Sequence, residues 1–143
     1  FGVAVSAPCP RVDGPVGVVC GSASSVARRQ LDRLRTRLPD VEIVAALASR
    51  GALDPRHARD VVARAGRLRD RCAALVVVGG ETAAGLLGDT PRLVGGFAAP
   101  GMPWSTDLGG GGLTVTKAGA FGDDDALVAV VRSLRDPSDT VHP

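Results

Sequence analysis

The sequence predicts an α/β protein of three layers, a mainly parallel sheet with helices on both faces, and an antiparallel strand pair near the C-terminus. Three observations predict it. The runs Val16–Cys20 and Ala74–Val78 contain no polar residue and each opens directly into glycine, as expected of strands buried on both faces. Segments of helical period lie between the strand candidates, and alternation of strand and helix favours a parallel sheet with right-handed crossovers. The hydrophobic share of 45% comes almost entirely from Ala, Val and Leu, with no Tyr, one Trp and three Phe; small aliphatic side chains suit helices packed closely on a sheet.

A lead segment, residues 1–15, carries Pro8, Pro10 and Pro15. Val16–Cys20 then reads as the first strand, ending in the turn Gly21-Ser22-Ala23-Ser24. From Ser25 to Leu38 the apolar Val26, Leu31, Leu34 and Leu38 recur among arginines and aspartate, giving an amphipathic helix that stops before Pro39. Val41–Leu47 is the next strand. Asp54-Pro55 supplies an N-cap and a proline at the first helical position for a helix reaching about Cys72. After the strand Ala74–Val78, the expected elements are a short helix over Ala83–Leu87, strands over Leu93–Phe97 and Leu113–Thr116, and a helix from about Asp123 to Leu134. Pro100–Trp104 and Leu108–Gly112 read as loops from their Pro and Gly content. The whole is one domain, with a core over 16–134 and a tail over 135–143.

Composition narrows the function. A formal charge of +2, with arginines balanced by acidic residues, offers no single-sign field for nucleic acid. Cys9, Cys20 and Cys72 are too widely spaced for a zinc site or disulfide framework and read as reduced, mostly buried thiols. No apolar run reaches spanning length and the first residues lack the basic flank of a secretory signal, so a cytoplasmic protein without membrane contact is expected. His57 and His142 have no neighbouring ligand set and are left out of the chemistry, and no metal-ligating cluster is expected.

In parallel sheets ligands sit beyond the carboxyl ends of the strands, where turns expose backbone N–H groups and helix N-termini carry partial positive charge. Three turns fit. In Gly21-Ser22-Ala23-Ser24 the serines suit a phosphate or plain N-capping. In Gly79-Gly80-Glu81-Thr82 the glycines leave backbone uncovered, Glu81 suits a metal-bound water or a ribose hydroxyl, and Thr82 suits a phosphate oxygen; a tight strand-to-helix turn explains the same glycines. In Lys117-Ala118-Gly119-Ala120-Phe121-Gly122, ahead of three aspartates, Lys117 is the only lysine of the chain, a compact point charge for phosphate or a solvated surface residue. The loop Pro100-Gly101-Met102-Pro103-Trp104 suits either a wall of an adenine pocket, with Met102 or Trp104 against the base, or a rigid connector. Neither a dinucleotide fingerprint nor a P-loop is present.

Taken in order, Gly21-Ser22-x-Ser24 with Gln30, Gly79-Gly80-Glu81-Thr82, Pro100-Gly101-x-Pro103 and Lys117-x-Gly119-x-Phe121-Gly122 resemble the C-terminal nucleotide-binding domain of the four-carbon acid sugar kinases, from about Val16 to Leu134. The resemblance implies ATP-dependent phosphorylation of threonate- or erythronate-type acids with Mg²⁺. It places Ser22, Gly79, Gly80, Glu81, Thr82, Gly119 and Gly122 around ATP or ADP, with Ser24, Pro100, Gly101 and Lys117 of the same turns and loop as further candidate contacts, and assigns no catalytic residue. It also implies a sugar-acid domain, in cis or trans, that these residues do not resemble. The chain departs from the family at Ala27, where Thr is usual, at Phe97, where an acidic residue is usual, and in a shortened Gly21–Gly79 interval. Two other readings remain: a nucleotide-binding or regulatory module without turnover, and a structural scaffold that covers its exposed apolar surface with a second copy of itself.

Overall fold

A computed structural model describes residues 8–22, 24–45, 55–88, 91–109 and 112–135, with backbone only for 55–58. Six strands, β1 (Val16–Cys20), β2 (Glu42–Ala45), β3 (Ala74–Val78), β4 (Arg92–Ala99), β5 (Met102–Asp107) and β6 (Leu113–Lys117), form one sheet in the order β2-β1-β3-β6-β5-β4. The first four of that order pair in parallel, whereas β5 runs antiparallel to both β6 and β4. Four helices, α1 (Ser25–Arg37), α2 (Pro55–Arg71), α3 (Gly80–Leu87) and α4 (Ala126–Arg135), cover the two faces.

The expected α/β class is what the chain forms, for the physical reason that pointed to it. All five residues of β1 and of β3 are buried, which requires a layer on each side of the sheet. On one side α1 and α4 cover Val16, Val18, Val76, Val78 and Val115 with Ala27, Leu31, Leu34, Leu127, Val131 and Leu134. On the other, α2 presents Val61, Ala65 and Leu68 to Val19, Leu75 and Val77, joined by Leu86 of α3. Fully burying one such Val or Leu contributes roughly 1.5–3 kcal/mol, so the two central strands and their covering stripes dominate stability.

Several boundaries and one element differ from expectation. The segment Pro100–Trp104, read as a loop, is a hairpin turn followed by β5, and the antiparallel pairing lies in the β4–β5 hairpin and the β5–β6 pair. β4 runs to Ala99, and α3 begins three residues earlier than expected, at Gly80. The aspartates 123–125 precede α4: Asp123 accepts from the Asp125 N–H at 3.0 Å and serves its start. Of the thiols, all unpaired, only Cys20 is buried, while Cys9 and Cys72 are half-buried at the margins of the core. Asp54, the end of the strand expected to reach Leu47, the side chain of His57, and His142 lie outside the described residues.

Candidate functional site

The register of the parallel strands sets the site. Cys20 is the partner of Val78, and Val78 of Lys117, so the chain leaves β1, β3 and β6 at one level and the three glycine turns begin side by side. Two backbone bonds add a further rung, from Gly21 N–H to Val78 O at 3.0 Å and from Gly79 N–H to Lys117 O at 2.9 Å.

The middle turn is the open one. Gly79, at φ 107°, is the N-cap of α3 and supplies no side-chain cap. A Cβ at Gly80 would meet nothing within 4 Å. The first turn of α3 therefore presents backbone to a cavity of about 290 Å³ lined by Gly79, Gly80, Ala83, Gly101, Pro103, Thr116, Lys117 and Ala118. Uncapped N–H groups at a helix start carry partial positive charge and bind anions. The volume is at the low end of ligand clefts, roughly 300–1,000 Å³, and matches a polyphosphate better than a whole nucleotide. Glu81 is exposed in that first helical turn. Thr82 is buried and faces the first turn: a Cβ at Gly21 would lie 1.6 Å from its Oγ1.

The outer turns are packed on one another. The Ser24 hydroxyl accepts from the Ala27 N–H at 3.1 Å, as an N-cap, and donates to Gly119 O at 3.0 Å. Ser22 Oγ accepts from the Ser24 N–H at 3.2 Å and sits where a Cβ of Gly119 would be, at 2.1 Å. Gly122, at φ 91°, lets the chain pass against Ala126, 2.8 Å from a hypothetical Cβ. Gln30, fully buried, donates from Nε2 to Phe121 O at 2.9 Å and Asp123 O at 2.8 Å. It fastens the third turn to α1. Its burial was not legible in the helical period, since a glutamine in an amphipathic stripe ordinarily marks the polar side.

Lys117 is 3% exposed. Its Nζ donates to Ala118 O at 2.7 Å and Gly119 O at 3.3 Å. Burial pushes the ammonium below its ordinary range, opposed by the nearby Cys20 thiol; that thiol is itself pushed up by burial. Lys117 is thus a buried side chain closed in by its own turn, on the face of the sheet that carries Val115, not a solvated surface lysine.

Pro100 is exposed on the β4–β5 turn, while Gly101, at φ 74°, and Pro103 line the cavity. Met102 and Trp104, 3% and 8% exposed, belong to the core beneath α1 and α4. They form no adenine wall, because strand alternation sends both to the face opposite Pro103. Of the expected positions, then, Gly79, Gly80, Gly101 and Lys117 share the cavity. Ser22, Ser24, Thr82, Gly119 and Gly122 hold the turns together around it. Ala83, Thr116 and Ala118 were not anticipated; the only sequence signal for Thr116 was its place next to Lys117 at a strand end. A larger groove of about 440 Å³ on the outer side of α1 is lined by Arg29, Asp32, Arg33, Thr36, Arg37 and Asp124. Its Arg29 and Arg33 are paired with Asp124 and Asp125, which leaves little net field for a ligand. Among the described residues no cluster of three metal-ligating side chains occurs, and no helix is long and apolar enough to cross a membrane.

A mostly parallel sheet with an uncapped helix start at its carboxyl end defines an α/β domain, and known structures share the fold. A Bordetella bronchiseptica protein described as a domain of unknown function, DUF1537, crystallised with bound citrate as a domain-swapped dimer, is 26% identical with a TM-score of 0.72 over 86% of this chain and 40% of that one. A Haemophilus influenzae DUF1537 protein is 18% identical with a TM-score of 0.70, over 89% of this chain and 42% of its own. A Salmonella typhimurium LT2 protein provisionally described as a tRNA synthase is 20% identical with a TM-score of 0.68, over 91% and 43%. DUF1537 proteins belong to the four-carbon acid sugar kinase family. The match is one of fold: no family model and no curated protein matches the sequence. The chain spans about two fifths of the length of these structures.

Proposed function

We propose that this chain is the nucleotide-binding domain of a sugar-acid kinase, holding the phosphates of Mg-ATP at the carboxyl ends of β3 and β6. The observation that carries the proposal is the start of α3, which has no side-chain cap and opens on a cavity walled by Gly79, Gly80 and the buried Lys117. Backbone donors at an uncapped helix start suit a polyanion. The ordered motifs and the DUF1537 folds support the kinase class, and threonate- or erythronate-type acids remain the proposed substrates.

Phosphoryl transfer asks the protein mainly for positioning and charge neutralisation. In this reading the amides of the α3 turn hold phosphate oxygens, and Lys117 turns its ammonium from Ala118 O and Gly119 O toward them. Magnesium would neutralise the phosphates when bound. Glu81 is the exposed carboxylate of the first turn of α3, and a metal held chiefly by phosphates and water fits so sparse a donor set. The sugar acid and the group that activates its hydroxyl belong to a partner domain, in cis or trans, and location in the cytoplasm and self-association are part of the same proposal.

Thermal shift with Mg-ATP, ADP and GTP is the test. The parent is expected to melt higher with Mg-ATP, and Gly80→Val, whose new side chain points into open space, to keep its unliganded Tm while losing most of the rise. Lys117→Ala is expected to lose part of it. An equal rise in the parent and in Gly80→Val would remove the α3 turn from the site. A nucleotide-binding module without turnover is the second reading. It is favoured by the engagement of Ser22, Ser24 and Lys117 within the turns, and ATP binding without phosphoryl transfer, even with a sugar-acid domain supplied, would select it.

A further inference from the structure

Phe121 is the one element of the third turn to which neither the phosphate cradle nor the packing of the turns gives a use. The chain has three Phe, one Trp and no Tyr; Phe97 is exposed on β4, outside the third turn, and the indole of Trp104 is buried in the core. Phe121, in contrast, is 42% exposed. Its main chain is held on both sides: its N–H donates to Ala118 O at 3.1 Å, and its carbonyl accepts from Gln30 Nε2 at 2.9 Å. The ring rests on Gly101, where a Cβ would fall 2.5 Å from Cζ and 2.6 Å from Cε2. Glycine at that position both allows the turn, at φ 74°, and leaves room for the ring.

Gly101 is also a wall of the cavity, together with Ala118, three residues before Phe121. A fixed aromatic ring, packed on Gly101 and partly open to solvent, therefore adjoins a residue of the cavity wall. Keeping an apolar ring half in water costs hydration free energy that further burial would recover. A base has a flat π-face suited to such a platform whatever its edge groups. At about 290 Å³ the cavity is at the low end of ligand clefts, so in the phosphate reading the base lies outside it.

We propose that Phe121 is the base-binding residue of this site, stacking the purine of the bound nucleotide on its open face while the phosphates occupy the cavity. The inference rests on the phosphate reading above and adds the recognition of the base, the role that Met102 and Trp104 do not fill. Because the contact is stacking, it tolerates either purine, and ATP and GTP are held alike by the ring.

Isothermal titration with Mg-ATP and with magnesium tripolyphosphate, on the parent, Phe121→Ala, Phe121→Trp and Gly80→Val, separates the two claims. Phe121→Ala is expected to weaken Mg-ATP about tenfold, equivalent to about 1.4 kcal/mol, and to leave tripolyphosphate unchanged. Gly80→Val weakens both ligands. Phe121→Trp retains ATP affinity, and its new indole emission is quenched by ATP and not by tripolyphosphate. Unchanged ATP affinity in Phe121→Ala, or equal losses for both ligands, would overturn the role of Phe121 while the phosphate site stands. A parent that binds neither ligand overturns both.

Discussion

At the scale of single residues, three glycines around the site are spaces reserved for particular neighbours. Gly21 admits Thr82, Gly119 admits Ser22 and Gly101 admits Phe121. That such turns are tight and rich in exposed amides is legible from glycine at a strand end. Which side chain fills each gap is not, because the partners come from other turns and meet only when three strands are in register. Lys117 shows the same limit: it was noticeable as the only lysine, but its burial follows from the turns that close over it. Burial gives a prediction with a definite sign. The folded ammonium is held below its ordinary value of 10.5, so between the folded value and 10.5 the unfolded chain binds more protons and stability rises with pH. The cost is fully present below that window and relieved above it. Urea unfolding of the parent and Lys117→Met across the alkaline range should show the parent gaining on the variant as pH approaches 10.5. Thiol ionisation at Cys9, Cys20 and Cys72 is common to both proteins and largely cancels in the difference, with Cys20, which faces Lys117, the one group whose shift the substitution also alters. A difference that stays flat with pH would mean that Lys117 titrates as it does in water.

At the scale of elements, legibility followed burial. β1 and β3 matched their expected limits because each is covered on both faces, which forces an unbroken apolar run. The edge hairpin obeys no such constraint. β4 carries Leu93, Val94 and Phe97 largely exposed, and β5 contains Pro103, whose missing N–H argues against a strand. The ladder accommodates it: the β4–β5 register shifts between Phe97 and Ala99, next to the Phe97–Pro103 pair. The hairpin is instead secured by shape, since a Cβ on Gly95 would lie 2.0–2.5 Å from three carbons of the Trp104 indole. A rigid, buried ring cannot give way as a flexible side-chain end would. Gly95→Ala should therefore cost roughly 1–3 kcal/mol, as overpacked cores do, seen as a lower urea midpoint. Gly66→Ala is the control: it lies inside α2 with nothing within 4 Å of its Cβ and should stabilise by up to about 1 kcal/mol through helix propensity. Equal, small effects of the two substitutions would show that the indole does not rest on Gly95.

At the scale of the whole molecule, the parallel strands give the sheet two chemically different ends, and the functional reading concerns one of them alone. At the carboxyl end stand the α3 start, Lys117 and the Gly101–Phe121 contact. At the amino end a cavity of about 370 Å³ lies among Gly14, Pro15, Val16, Asp40, Val41, Glu42 and Arg135. There Arg135 pairs with Asp40, and Arg71 with Glu42, so the nearby charges are already matched. The molecule thus carries its own control for ligand binding. Amide hydrogen exchange with and without Mg-ATP should slow at residues 79–83 and 116–122, which come from separate elements and become neighbours only through the Cys20–Val78–Lys117 register. Residues 12–16 and 40–42 should exchange as before. Joint slowing of the two distant segments is the sign of a ligand bridging them, because a bound polyanion orders the amides it touches and closes the cavity to water. Slowing spread evenly over both ends would reflect general stabilisation of the fold, and slowing confined to the amino end would move the site to the opposite side of the sheet.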